Sequence, residues 1–141
     1  LQPCGPSLPV PACCLECDAG VDRRSTWHYV LQRFERELVP CCIAVAIPYG
    51  YAGFVLPRSG LAIKHGVSLV NAPGLIDSNY RGEIQAIMVN LDPKTPFEIK
   101  RGDRIAQLVI MRVPDASFDV CEDLPETSRG VGGFGSSGVS L

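Results

Sequence analysis

Short β-branched runs broken by proline and glycine set the pattern of this chain. Ile43, Val45 and Ile47 alternate with Ala44 and Ala46, a period-two pattern closed by Pro48-Tyr-Gly50. Further strands are predicted at Phe54–Leu56, Val67–Val70, Ile84–Leu91, Pro96–Ile99 and Ile105–Val113. Strands at intervals of roughly 8–12 residues, separated by turn chemistry, predict an all-β antiparallel sandwich or barrel. One short helix is predicted over Ser59–His65, begun by the Ser59 hydroxyl as N-cap and stopped by Gly66. Its N-terminus presents free N–H groups beside Arg58, which suits an anion. Residues 114–128, with Pro114, Pro125 and several acids, read as a linker to a glycine-rich end.

Composition narrows the class. The 141 residues suit one domain with a real core, and at 46% hydrophobic, 20% charged and net charge −2 the chain is neither disordered nor a polybasic nucleic-acid binder. No apolar run approaches the ~20 residues that span a bilayer, and no charged-then-apolar leader is present, so no membrane partner and a cytoplasmic setting are expected. Six of the seven cysteines fall within the first 42 residues. Cys14-Leu-Glu-Cys17 has the spacing of half a zinc site, but adjacent Cys41-Cys42 is a poor second half. Together with the odd total, this favours reduced thiols over zinc or a disulfide framework.

Two segments carry candidate chemistry. Arg129-Gly-Val-Gly-Gly-Phe-Gly-Ser-Ser-Gly138 has five glycines in nine positions, a composition typical of flexible linkers. It also holds a guanidinium (Arg129), an aromatic ring (Phe134) and two hydroxyls (Ser136, Ser137), groups that grip phosphate and a base face. Asn71-Ala-Pro-Gly-Leu-Ile-Asp-Ser-Asn-Tyr-Arg-Gly-Glu83 is the other. The turn pair Pro73-Gly74 predicts a β-hairpin with Asn71 on one arm and Asp77 and Tyr80 on the other. The Asn71 amide offers a donor and an acceptor that match a pyrimidine edge; a turn-stabilising Asn and a solvated Asp are the plainer alternatives.

These segments resemble a known family when taken together. Pro57-Arg-Ser-Gly-Leu-Ala62, Gly74-Leu-Ile-Asp-Ser-Asn-Tyr-Arg-Gly-Glu83, Arg104-Ile-Ala-Gln-Leu108 and the glycine-rich end are similar to the second to fifth motifs of the trimeric dUTPases. Asp18-Ala-Gly-Val-Asp-Arg-Arg-Ser25 looks like an altered first motif. The resemblance implies a jelly-roll-like β domain (residues 1–128) and a mobile C-terminal arm (129–141) that closes a neighbouring subunit's site in a homotrimer. It implies hydrolysis of dUTP to dUMP and pyrophosphate with Mg2+. By the same resemblance, Asp77 is the general base, and Tyr80 packs under the deoxyribose. Asn71, with Gly74 and Ile76 of the hairpin, reads uracil, and Phe134 stacks on it. Arg58, Ser59, Gly60, Gln107, Arg129, Ser136 and Ser137 hold phosphates, and Asp22 holds a metal-bound water. A nucleotide-binding regulatory protein with impaired turnover, and more remotely a dCTP deaminase-type relative, are the alternatives.

The remaining polar residues have structural expectations. Arg81 and Arg104 read as structural ion pairs, His65 as a helix-end residue, Trp27 and His28 as surface or packing residues, and Tyr49-Gly-Tyr51 as a turn. The N-terminal third departs from the resemblance. Arg23 stands at an inward-facing strand position usually held by leucine, so either it reaches solvent or its strand is displaced. Cys42 replaces a glycine, which strains the backbone if φ there is positive. Leu1–Ser7 lacks the alternating strand that usually opens this fold.

Overall fold

The computed structural model describes residues 8–9, 18–133 and 138, together with the backbone of Gln2–Pro3. In chain order the elements are β1 (Gln2–Pro3), β2 (Val21–Arg24), β3 (Tyr29–Leu31), β4 (Arg36–Pro40), β5 (Ile43–Ala44), β6 (Tyr51–Pro57), α1 (Ser59–His65), β7 (Val67–Leu69), β8 (Gly74–Ile76), β9 (Gln85–Asn90), β10 (Phe97–Ile99) and β11 (Arg104–Arg112). A four-stranded sheet runs β2-β11-β6-β8 and a three-stranded one β4-β9-β7, with the pairs β1-β5 and β10-β3 alongside. Every pairing is antiparallel, giving the jelly-roll-like domain expected. No helix of the described residues is long and apolar enough to cross a membrane.

Alternation builds the core. In β9, Ala86, Met88 and Asn90 face inward while Gln85, Ile87 and Val89 are less buried. Ala86 and Met88 meet Leu31, Val39, Val67, Ile84 and Ile99 in one apolar cluster. Asn90 is buried without an unmet polar group. Its Nδ2 donates to the Leu31 and Thr95 carbonyls (3.2 and 2.9 Å), and its Oδ1 accepts from the Asp92 N–H (2.9 Å). A buried amide bonded on every side ties the end of β3 and the 91–96 loop to the core without the penalty of an orphaned group.

Four expectations need correction. The strand predicted over 43–47 is confined to Ile43–Ala44, although Ile47 still buries its side chain against the core. α1 is entered through Arg58 in extended backbone with no side-chain capping bond, so the Ser59 hydroxyl is not its N-cap. Its end is as predicted: Gly66 adopts φ 64° and returns its N–H to the Ala62 carbonyl. The opening segment does supply a short strand, since Gln2–Pro3 pairs with Ile43–Ala44.

The fourth correction concerns Arg23. It neither reaches solvent nor leaves its strand: it is 2% exposed and stands opposite Ala106 in the β2–β11 ladder. Its Nε donates to the Val21 carbonyl (3.1 Å). Burial lowers the Arg23 pKa from its ordinary value, while nearby Cys41 and Asp22 hold it up. Burial also pushes the Cys41 thiol up to about 12, so at neutral pH the thiol carries no charge, and what coulombic support Arg23 has comes from Asp22 on the other face of the strand. Beside Arg23 the ladder slips between Arg104 and Ala106. The extra residue lets two successive side chains, Ile105 and Ala106, both enter the core.

Cys42 adopts φ 53°, the left-handed region that costs a residue with a Cβ about 1–2 kcal/mol. Cys42→Gly is therefore expected to raise the unfolding free energy by roughly 0.5–1 kcal/mol, after allowing for glycine's greater unfolded-state entropy. The measurement is the urea midpoint. Cys42→Val should lower it, and a glycine variant with an unchanged or lower midpoint contradicts the strain.

Candidate active site

The segment between β7 and β9 builds the first cleft, of about 260 Å3. β7 and β9 pair with each other, Val67 opposite Asn90, so the predicted hairpin is real but wide. Inside it, β8 leaves that sheet and pairs instead with β6, Gly74 opposite Val55 and Ile76 opposite Gly53. The cleft is lined by Val55, Leu69 and Ala86 on its apolar side and by Asn71, Asp77, Tyr80 and Glu83 on its polar side. A Cβ at Gly74 would come within 3.3 Å of Asn71 Nδ2, so the small residue is what lets the amide lie against the backbone.

Local bonds shape the rest of the segment. Tyr80 N–H donates to the Asp77 carbonyl (3.1 Å), closing a turn that leaves both side chains at the cleft. The Tyr80 hydroxyl donates to the Glu83 carbonyl (3.0 Å), and a Cβ at Gly82 would overlap the Tyr80 ring. Among the described residues Arg81 makes no ion pair: its Nη1 donates to the Ser78 and Tyr80 carbonyls (2.7 and 2.8 Å), capping the turn. The distal end is clamped by Ile84 N–H to the Ile43 carbonyl (2.8 Å) and Cys41 N–H to the Ile84 carbonyl (3.2 Å). Glu83 adds its carboxylate, which accepts from the Cys42 N–H (2.7 Å).

The second cleft, of about 420 Å3, is polar and lies where β2, β11 and the start of α1 meet. Asp18, Gly20, Asp22, Arg58, Ser59, Gly60, Arg104 and Gln107 line it. Asp22 bridges two guanidiniums: Oδ1 lies 3.1 Å from Arg58 Nε and Oδ2 lies 3.1 Å from Arg104 Nη1. Arg104 is thus the ion-pair residue expected, with a partner that sequence separation concealed. Arg58 Nη1 also donates to the Arg104 carbonyl (2.9 Å), and Gln107 Nε2 to the Pro57 carbonyl (3.1 Å). These contacts aim two cations and an amide at one concavity, a geometry suited to a polyanion.

Asp22 and Arg23 are neighbours on one strand and face opposite ways. Asp22 lines the polar cleft, whereas Arg23 lines a separate cavity with Val45, Ile47, Leu108 and Ile110. Strand alternation therefore keeps the altered residue away from the polar cleft.

The structure thus brings Asn71, Gly74, Ile76, Asp77 and Tyr80 together in one place and Asp22, Arg58, Ser59, Gly60 and Gln107 in another. No described residue lines both clefts. Arg129 lines neither; its Nε donates to the Gly132 carbonyl (2.7 Å) within a local turn. Phe134, Ser136 and Ser137 lie outside the described residues, as do Cys14 and Cys17. His65 sits in the last turn of α1, its ring 5.1 Å from that of Phe97. His28 pairs with Glu98 on the surface, where Trp27 is also exposed. Tyr49 and Gly50 form the expected turn before β6, and the Tyr49 hydroxyl donates to Asp115 (2.6 Å). Glu83 and Asp18 were not singled out from the sequence, because their roles depend on contacts across the fold.

The chain is similar to known proteins over most of its length. The dUTPase family model matches residues 8–138. The deoxyuridine 5'-triphosphate nucleotidohydrolase of Nocardia farcinica is 54% identical over 133 residues, covering 94% of this chain and 81% of its own. That of Rhodococcus erythropolis is 52% identical with the same coverage. The solved structure of the Staphylococcus bacteriophage 80alpha dUTPase with dUPNHPP aligns at a TM-score of 0.85 and 28% identity, over 98% of this chain and 96% of that one.

The Asp22 bridge makes an electrostatic prediction for the polar cleft. Without magnesium, Asp22→Asn should bind pyrophosphate about tenfold more tightly than wild type, since a carboxylate that pairs with both arginines and offsets part of their charge is gone. Arg58→Ala should bind it about tenfold more weakly. Calorimetric titration checks both, and an Asp22→Asn variant with weakened binding contradicts the account.

Proposed function

The chain belongs to the dUTPase family, and from that premise we propose that it hydrolyses dUTP to dUMP and pyrophosphate at a site made from both clefts. The observation that carries this is their complementary chemistry: a small, partly apolar cleft with an amide, a ring and a carboxylate, and a separate polar cleft holding two guanidiniums. Uracil enters the first. Asn71, beside the backbone of Gly74 and Ile76, bonds its edge, and a tight β8 leaves no room for a methyl group. A competing base leaves those polar groups unpaired, which is a strong form of discrimination. Tyr80 lies under the deoxyribose and crowds out a 2′-hydroxyl.

Asp77 orients a water for in-line attack at the α-phosphorus and takes its proton. The new bond runs from the water oxygen to phosphorus, and the bond to the bridging oxygen breaks, releasing pyrophosphate. Arg58, Ser59, Gly60 and Gln107 bind the phosphates and offset the charge that collects on them. Arg129, Ser136 and Ser137 of the 129–141 arm complete the clamp, with Phe134 over the base.

The donor set suits magnesium in one particular way. Among the described residues no group of three or more His, Cys, Asp or Glu side chains stands ready as a cage. Mg2+ keeps several waters and favours one or two carboxylates plus substrate phosphates, which fits Asp22 acting through a water with Asp18 on the same rim. When bound with the triphosphate, the ion supplies charge neutralisation.

The two clefts share no described residue, so the reading joins them across copies of the chain in a homotrimer. One subunit supplies the hairpin, a second the phosphate cleft and a third the arm, in the cytoplasm of the cell. Two measurements test this. Asp77→Asn should lower kcat by about 10^3-fold while binding a non-hydrolysable dUTP analogue as wild type does. Asp77→Asn and Arg58→Ala chains, unfolded together at equal amounts and refolded, should recover about one quarter of wild-type activity, because random assembly leaves that share of sites intact. A mixture no better than its parents places both clefts' residues in the same chain's site.

A further inference from the structure

Tyr80 is 43% exposed, so packing alone does not hold its ring in one orientation. What holds it is the hydroxyl bond to the Glu83 carbonyl and the space left open by Gly82. The carbonyl is only as fixed as Glu83 itself. Its successor Ile84 is held by two backbone bonds to the segment around β5, whereas Glu83 is anchored by its own carboxylate on the Cys42 N–H. The left-handed turn at Cys42 brings the 41–43 segment to this clamp. Glu83 also lines the cleft beside Asn71, Asp77 and Tyr80.

We propose that Glu83 is a positioning residue for sugar selectivity: its carboxylate, bonded to the Cys42 N–H, fixes the carbonyl that holds the Tyr80 hydroxyl. The inference rests on the role of Tyr80 under the deoxyribose given above. Glu83 acts through Tyr80 rather than on the reacting atoms. It sets the ring that rejects the 2′-hydroxyl, so its loss loosens selectivity rather than stopping the chemical step. Such an effect acts mainly on KM and little on kcat.

The experiment compares kcat and KM for dUTP and UTP in wild type, Glu83→Ala, Glu83→Gln, Tyr80→Phe and the Glu83→Ala/Tyr80→Phe double variant. Glu83→Ala should lower the dUTP-to-UTP ratio of kcat/KM about tenfold, with kcat for dUTP within about threefold of wild type. Glu83→Gln keeps an acceptor oxygen for the Cys42 N–H and should stay within about twofold. Tyr80→Phe, which breaks the same link at its other end, should lower the ratio comparably. The double variant should be no worse than the poorer single, the mark of residues acting through one contact. A Glu83→Ala variant with a lowered melting point and an unaltered ratio overturns the proposal, as does an additive double variant. Wild type without dUTP turnover overturns the proposed reaction and this inference together; an active wild type with unmoved Glu83 variants overturns the inference alone.

Discussion

The segment from residue 70 to 84 is held in two sheets at once, and the cleft depends on that constraint. Its ends continue β7 and β9, which pair with each other, while its middle, Gly74–Ile76, crosses to pair with β6. A loop anchored only at its ends would leave Asn71, Asp77 and Tyr80 to wander. Here the central strand fixes the backbone between them, and the Ile43–Ile84–Cys41 bonds close the distal end. Groups carried on such rigid supports keep the sub-ångström placement that binding and proton transfer require.

β6 extends the same constraint to the phosphate side. Val55 sits opposite Gly74 on one edge and Leu108 on the other, and Pro57 sits opposite Ala106. One residue further, Arg58 leaves the sheet to meet Asp22 and Arg104. A single strand thus sets the position of both clefts within a subunit, yet they share no lining residue among those described. Under the proposed reading, the two clefts are half-sites that copies of the chain bring together.

Much of the fold was legible because period-two alternation and Pro–Gly punctuation report local geometry. The strands around Phe54, Val67, Ile84, Phe97 and Ile105 fall where the pattern puts them, within a residue or a few. What was hidden is non-local. The β2–β11 bulge that seats both Ile105 and Ala106 depends on the facing strand, and no run of residues announces it. The burial of Arg23 depends on elements distant in sequence, Ala106 opposite it on β11 and Val45, Ile47 and Leu108 lining the same cavity. Arg58 and Asp22 lie far apart in sequence, and their pairing follows from β11 joining β2 on one edge and β6 on the other. The positive φ at Cys42 was anticipated as a condition, and the structure meets it. Turn chemistry put Asn71, Asp77 and Tyr80 on one hairpin, but not the Glu83–Cys42 contact, which needs the turn after β4.

The central claim is catalytic and has a direct measurement: pyrophosphate released by the purified wild-type chain from dUTP, dTTP, dCTP and UTP, each with magnesium. The account predicts rapid release from dUTP and at least about 10^2-fold slower release from the other three, since each meets an unpaired polar group or a steric block. Equal release from all four, or none from dUTP by a folded protein, would contradict it.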